Sequence, residues 1–336
     1  MKAKRTPLSR ACILYMALFA AAGQPASAQE MQTDKALRIG SGPTGKVYEL
    51  IVRDIQAVCG AEVPVQSVAS IGGIPNLLML SASQAELGIV QLDTLRVMAT
   101  GGDDNIRDLQ AIMPLHMNLL HVLSLQQGSK VGVTMVPMSG ETKVFRKFSD
   151  LKGAKVAVVG STQLLGQTLN AQLGYAMQLQ IAESDDQAVR MLRDNKVQAI
   201  FTDGGWPLPS ISRHQRDSGL MLVDYDVPAQ PPFTVAKRTY QNLDAFNYGF
   251  LGSPNLLVTR PFKANGDMGK RVAALQACLL KNLDELQEGR YHSAWKEIKN
   301  PMETFGWARY SRPESQRAAS SAETVGARVT RAKSTK

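Results

Sequence analysis

Short apolar runs that end in glycine-containing turns and pass into amphipathic segments recur along this chain, and that alternation leaves few folds open. LRIG (37–40) precedes helical periodicity from Gly45 to Val58, carried by Val47, Leu50, Ile51, Ile55 and Val58. VPVQSVA (63–69) reads as a strand, IPNLLMLSAS (74–83) as a helix and ELGIVQL (86–92) as a third strand. LQAIMPL and LLHVLSL, within 109–125, read as further strands. The pattern then breaks near 126–150 and resumes with a strand at AKVAVVG (154–160) and a helix at QLLGQTLNAQLGYAM (163–177). Asp185 to Asn195 reads as a helix, VQAIFTD (197–203), LMLVDYD (220–226) and NLLVTR (255–260) as strands, and Gly269 to Glu288 as a long amphipathic helix. Repeated β–α–β units with short turns predict parallel sheets covered by helices, and the break predicts two α/β lobes.

The ends of the chain set its compartment. Lys2, Lys4, Arg5 and Arg10 precede an apolar run from Ala11 to Ala22, and Ala26-Ser27-Ala28 supplies a small-residue cleavage site. This predicts a secretory signal peptide over 1–28, cleaved after Ala28, and a periplasmic mature protein. Loss of those four basic residues lowers the formal charge from +9 to +5, which does not point to nucleic acid. Residues 313–336 are rich in Ser, Ala and Arg with few large apolar groups, and predict a disordered basic tail. Cys59 and Cys278 remain in the mature chain. Sequence leaves open whether they pair in the oxidising compartment or stay as two buried thiols.

The turn after the first strand, Gly40 to Lys46, fits two phosphate-loop templates and fails each at a decisive partner. Val47 stands where a nucleotide P-loop needs a hydroxyl for magnesium. The next strand ends Ser67-Val68-Ala69-Ser70, where a dinucleotide site needs an acid. What the templates share survives: glycines admit a ligand to the backbone, and a helix N-terminus favours an anion. Four loops after strands repeat the arrangement, at 41–45, 70–73, 160–162 and 204–207. Facing one cleft, they would hold a small anionic or polar ligand. Asp93, after Gln91 at a strand end, either lines that cleft or caps the next helix. His116 and His121, five apart on one strand, would point to opposite faces and share no metal. No Gly-x-Ser-x-Gly elbow precedes a helix, and neither mature cysteine lies by an obvious base. The reading is a binding protein, not an enzyme, with no cofactor.

With these residues placed, the chain resembles the TAXI group of periplasmic solute receptors of TRAP transporters. The resemblance runs from about 36 to 312 and is carried by IGSGPTGKVYEL, VASIGGIPNLLML, AELGIVQLD, FSDLKGAKVAVVG, VQAIFTDGGWP and WARYSRPE. It implies a type II-like fold of two α/β lobes, 29–122 with 253–312 and 123–252. Crossover strands near His121–Leu125 and Tyr248–Val258 would join them, with hinge closure on a ligand held between. It implies a small carboxylate or amino-acid-like ligand, a TRAP-type permease as partner and a monomer. The expected contacts are Ser41, Gly42, Thr44, Gly45 and Tyr48; Ser70, Gly72 and Gly73; Gln91 and Asp93; Ser161, Thr162 and Gln163; and Gly204, Gly205 and Trp206. The chain departs from the family where hydroxyl donors are expected, with Ile71, Ile74, Leu165, Gly166 and Gln167 in their places. These departures predict a more apolar or aromatic ligand, with Trp206 as a stacking wall. A role as a periplasmic sensor that presents its closed state to a signalling partner is the alternative.

Overall fold

The computed structural model describes residues 36–132 and 141–311; the expected signal peptide and basic tail lie outside the described residues. In chain order the elements are β1 (Leu37–Gly40), α1 (Val47–Cys59), β2 (Val65–Val68), α2 (Gly73–Ser81), β3 (Leu87–Gln91), α3 (Leu92–Thr100) and α4 (Asp104–Arg107). Then come β4 (Gln110–Leu125), β5 (Ser129–Val131), β6 (Glu141–Lys143), β7 (Lys155–Val159), α5 (Thr162–Leu173), β8 (Gln178–Ala182), α6 (Asp185–Arg193) and β9 (Ala199–Gly204). The last are α7 (Pro209–Ser212), β10 (Leu220–Leu222), β11 (Thr234–Tyr240), β12 (Ala245–Thr259), α8 (Asp267–Lys281) and α9 (Leu283–Leu286).

Local chemistry sets several of these limits. Helix α6 starts where Ser184 Oγ accepts from Gln187 N–H at 3.2 Å, with Asp185 and Asp186 in its first turn and Arg190 and Arg193 in its last. Helix α5 stops at Leu173, short of the expected Met177, because Gly174 adopts a left-handed φ of 63° and closes the helix. The helix expected over 269–288 is broken at Asn282 into α8 and α9. The two strands expected over 109–125 are one continuous strand, β4.

The strands form a two-lobed α/β fold. Their order is β2-β1-β3-β12-β4-β9-β7-β8, with β10 on β4 and β11 on β12. In the first lobe β1 is parallel to β2 and β3, and in the second β7 is parallel to β8 and β9. Helices cover both faces, so each lobe buries two apolar layers. Ile39, Ile51, Leu87 and Trp295 lie on one side of the first sheet, and Leu77, Val90 and Leu256 on the other. Leu123 and Ile200, then Phe148, Val158 and Phe201, do the same in the second.

Antiparallel β4 and β12 pass through both lobes. Asn255–Thr259 of β12 pair with β3, whereas Leu119–Leu123 of β4 pair with β9. The crossing on β4 therefore precedes the expected His121–Leu125, because Leu119, Leu120 and Leu123 already pack in the second-lobe layers. Between the crossings the register shifts, from Pro254↔Met117 to Leu256↔Pro114. Two prolines flank this irregularity, as expected of residues that cannot donate to a ladder.

Cys59, at the end of α1, and Cys278, in α8, form a disulfide with Cα atoms 5.9 Å apart. It closes a 219-residue separation, for which loop-entropy reasoning gives about 5 kcal/mol of stabilisation. Urea unfolding should show a clearly lower midpoint in dithiothreitol, with the double variant Cys59→Ser/Cys278→Ser following the reduced curve. Superimposable oxidised and reduced curves would remove the bridge from the stability of the fold.

Candidate functional site

The C-terminal ends of β1, β3, β7 and β9 open on one cavity of about 580 Å³ between the lobes. This is the end of the sheet at which open α/β folds take ligands. Gly42, Gly45, Tyr48, Gly72, Gly73 and Gln91 line it from the first lobe, and Ser161, Gly204, Gly205 and Trp206 from the second. The remaining expected contacts do not line it.

Their own bonds explain why. Ser41 is fully buried; its Oγ donates to Val68 O at 3.0 Å and accepts from Ser67 Oγ at 2.9 Å. Ser70 Oγ lies 2.9 Å from Ser41 O and 2.7 Å from Asn76 Oδ1, so its one O–H is taken up between them. Thr162 Oγ1 donates to Phe201 O at 3.0 Å and accepts from Val159 N–H at 2.8 Å. Thr44 and Gln163 are exposed outside the cavity wall. Asp93 is buried in the first turn of α3, whose N-cap is Gln91, and its N–H donates to Ser253 Oγ at 3.3 Å. Leu165 and Gly166, read as changes to the ligand wall, are buried in the second lobe, where a side chain at 166 would meet Leu179.

Two of the first-lobe loop donors are spent internally. Gly45 N–H donates to Glu49 Oε2 at 3.1 Å, and Gly72 N–H donates to Ser70 Oγ at 3.1 Å. Gly204 is held in the ladder opposite Leu119.

An acid occupies the centre instead. Asp203, the next-to-last residue of β9, lines the cavity. Its Oδ2 accepts from Asn118 Nδ2 at 2.6 Å, Gln91 Nε2 at 2.8 Å and Ser161 Oγ at 2.8 Å; Ser161 also reaches Oδ1 at 3.0 Å. Gln91 belongs to the first lobe, Asn118 to the crossing strand and Ser161 to the second lobe. Burial raises the Asp203 carboxyl above its ordinary value against these three donors, and Asp185 adds to the rise.

Beside it, Tyr48 O–H donates to Asn255 Oδ1 at 2.5 Å, and Asn255 Nδ2 donates to His116 O at 3.1 Å and lies 3.2 Å from His116 Nε2. Burial, with His292 nearby, lowers His116 to about 3, so the ring is neutral at physiological pH. His121 faces the second-lobe core, where Tyr240 Oη lies 2.8 Å from its Nε2. The two histidines do diverge, but His116 lines the cavity.

Sequence reasoning missed Asp203, Asn118, His116 and Asn255. The signals were there: Asp203 ends an apolar strand ahead of paired glycines, and His116 and Asn118 interrupt an apolar run.

Residues 39–228 match the model of the NMT1-like family. No curated protein matches the chain. Among solved structures, an amino acid ABC transporter substrate-binding protein from Streptococcus pneumoniae bound to L-arginine is 16% identical at a TM-score of 0.47, covering 80% of this chain and 95% of its own. The GluR0 ligand-binding core with L-glutamate is 17% identical at 0.44, with coverage of 74% and 93%. The arginine-, lysine-, histidine-binding protein ArtJ of Geobacillus stearothermophilus is 15% identical at 0.44, with coverage of 78% and 94%.

The site predicts a pH signature. Burial first, with Asp203 adding to it, raises Asp93 from 3.8 to about 6, against the opposing bond to Ser253. The folded state then holds this proton more tightly than the unfolded chain. The associated stability is present below about pH 4 and lost as pH rises through 6. Asp93→Asn removes the titration, so its stability relative to wild type should rise by about 2–3 kcal/mol between pH 4 and 7.5. Urea midpoints at the two pH values measure this, and a pH-independent difference would refute it.

Proposed function

The chain belongs to the NMT1-like family, and we propose that it works as a periplasmic solute-binding protein that encloses one small organic solute between its lobes. The observation that carries this reading is the cavity of about 580 Å³ walled by both lobes, with the Gln91–Asp203 bond spanning them. Its volume falls in the range of small-molecule sites. A binding role fits its chemistry better than catalysis. His116 is neutral with its Nε2 beside Asn255, and among the described residues no hydroxyl or thiol bonds to it.

The lobes in this proposal are 29–122 with 253–312 and 123–252, working as a monomer. Strand pairing supports a hinge at Met117–Leu119 and Ser253–Asn255. Export is supported by the basic-then-apolar N-terminal stretch and by the disulfide, which needs an oxidising compartment. A TRAP-type permease as recipient is supported by the TAXI-like motifs.

Native mass spectrometry of the protein from periplasm, repeated after denaturation, should reveal one small molecule per chain. A spectrum with none, together with no thermal stabilisation by any of a broad set of small acids, amines and neutral solutes, would sink the receptor reading. Gly42→Val should lower the occupancy at least tenfold, because a Cβ there sits 3.1 Å from Tyr48 Cβ and presses on the cavity wall. Wild-type occupancy in that variant would remove the first loop from the site.

A further inference from the structure

We propose that the solute presents a protonated nitrogen to Asp203, so that the cleft selects organic cations or amino-bearing zwitterions over plain organic acids. The inference rests on the solute-binding reading and assigns its ligand class.

Asp203 is surrounded by donors but has no counter-ion. Gln91, Asn118 and Ser161 are all neutral, and three of their four contacts fall on Oδ2. Oδ1 holds only the longer branch of the Ser161 bond, and a carboxylate oxygen accepts more than one donor. Neutral donors orient the carboxylate without cancelling its charge, and a charge taken from water needs a partner. No cationic side chain of the described residues bonds to Asp203, which leaves that role to the solute.

The wall reinforces the sign. Asp185 lines the same cavity, and its Oδ1 has no hydrogen-bond partner in the described residues. Asp93 lies behind, close enough for Asp203 to raise its affinity for protons. Against these stand Lys46, exposed, and His292. Among the described residues no arginine lines the cavity; Arg238 lies 5.5 Å from the Trp206 ring and outside the wall. A carboxylate placed beside Asp203 would meet like charge in a partly dehydrated space. Of the glycine N–H groups on the wall, those of Gly45 and Gly72 are already bonded to Glu49 and Ser70. Val47, Leu50 and Ile71 offer apolar wall to the hydrocarbon part of the solute.

The test uses matched four-carbon probes, putrescine, 4-aminobutyrate and succinate, in thermal-shift and calorimetric titrations at pH 7.5. The two amines should stabilise the wild-type protein and succinate should not. Asp203→Asn should weaken amine binding at least tenfold. Asp185→Asn, which leaves the interlobe bonds in place, should weaken it about threefold and serves if the first variant misfolds. Succinate binding as well as or better than the amines would overturn the proposal, as would amine affinity unchanged in the variants. A nitrogen-free acid in the native mass spectrum would overturn the ligand class and leave the receptor reading intact. No response to any probe, with no bound solute, would overturn both.

Discussion

The pairing of β4 with β12 is the constraint on which the rest of the structure depends. One 16-residue strand and one 15-residue strand run antiparallel through both lobes, and each lobe adds its parallel strands to one side of that pair. The C-terminal ends of β3 and β9 meet because both are zipped to the same ribbon, β3 to β12 and β9 to β4. The irregular register between Pro254 and Leu256 falls where the strands change lobes, and a locally broken ladder is where a ribbon bends most readily.

The crossing also carries chemistry. Asn118 and Ser253 oppose each other in the register. Asn118 bonds to Asp203 of the second lobe, and Ser253 to the N–H of Asp93 in the first. Two acids from different lobes are thus tied to the same rung, close enough for Asp203 to raise the Asp93 carboxyl. A change in the lobe angle alters the distance between the buried Asp93 carboxyl and the half-buried Asp203 carboxyl, so hinge and site electrostatics are one system.

Much of the fold was legible because its signals are local and periodic. β1, β3, β7, β9 and α6 carry their apolar spacing and their caps within a few residues. The first half of β12 was legible only through the family resemblance, which implies a crossover strand near Tyr248–Val258; AFNYGFLGSP holds two glycines and a proline and has no strand periodicity of its own. Gly249 is there because a Cβ would lie 2.5 Å from Tyr225 O, a packing demand invisible along the chain. The cleft was half legible. Strand ends with glycines located the loops, yet glycine flexibility says nothing about which N–H groups remain free. Glu49 and Ser70, each within four residues of the donor it takes, absorb N–H groups that a ligand would otherwise use. Asp203 was passed over in favour of the glycines that follow it, although its side chain gathers more of the site than any of them.

The way the walls meet limits how a solute acts on them. Gln91 and Asp203 join the lobes through protein atoms alone, a charge-assisted bond of the kind worth roughly 1.5–3 kcal/mol. A solute that touched one wall only would bind the open and closed arrangements equally and shift nothing between them. Closure requires contacts available only when both walls are in place. Asp203 supplies such a point, because its carboxylate is set at once by the first lobe through Gln91, by the crossing strand through Asn118 and by its own lobe through Ser161. A group bound to Asp203 therefore senses all three, and its binding energy depends directly on the angle between the lobes.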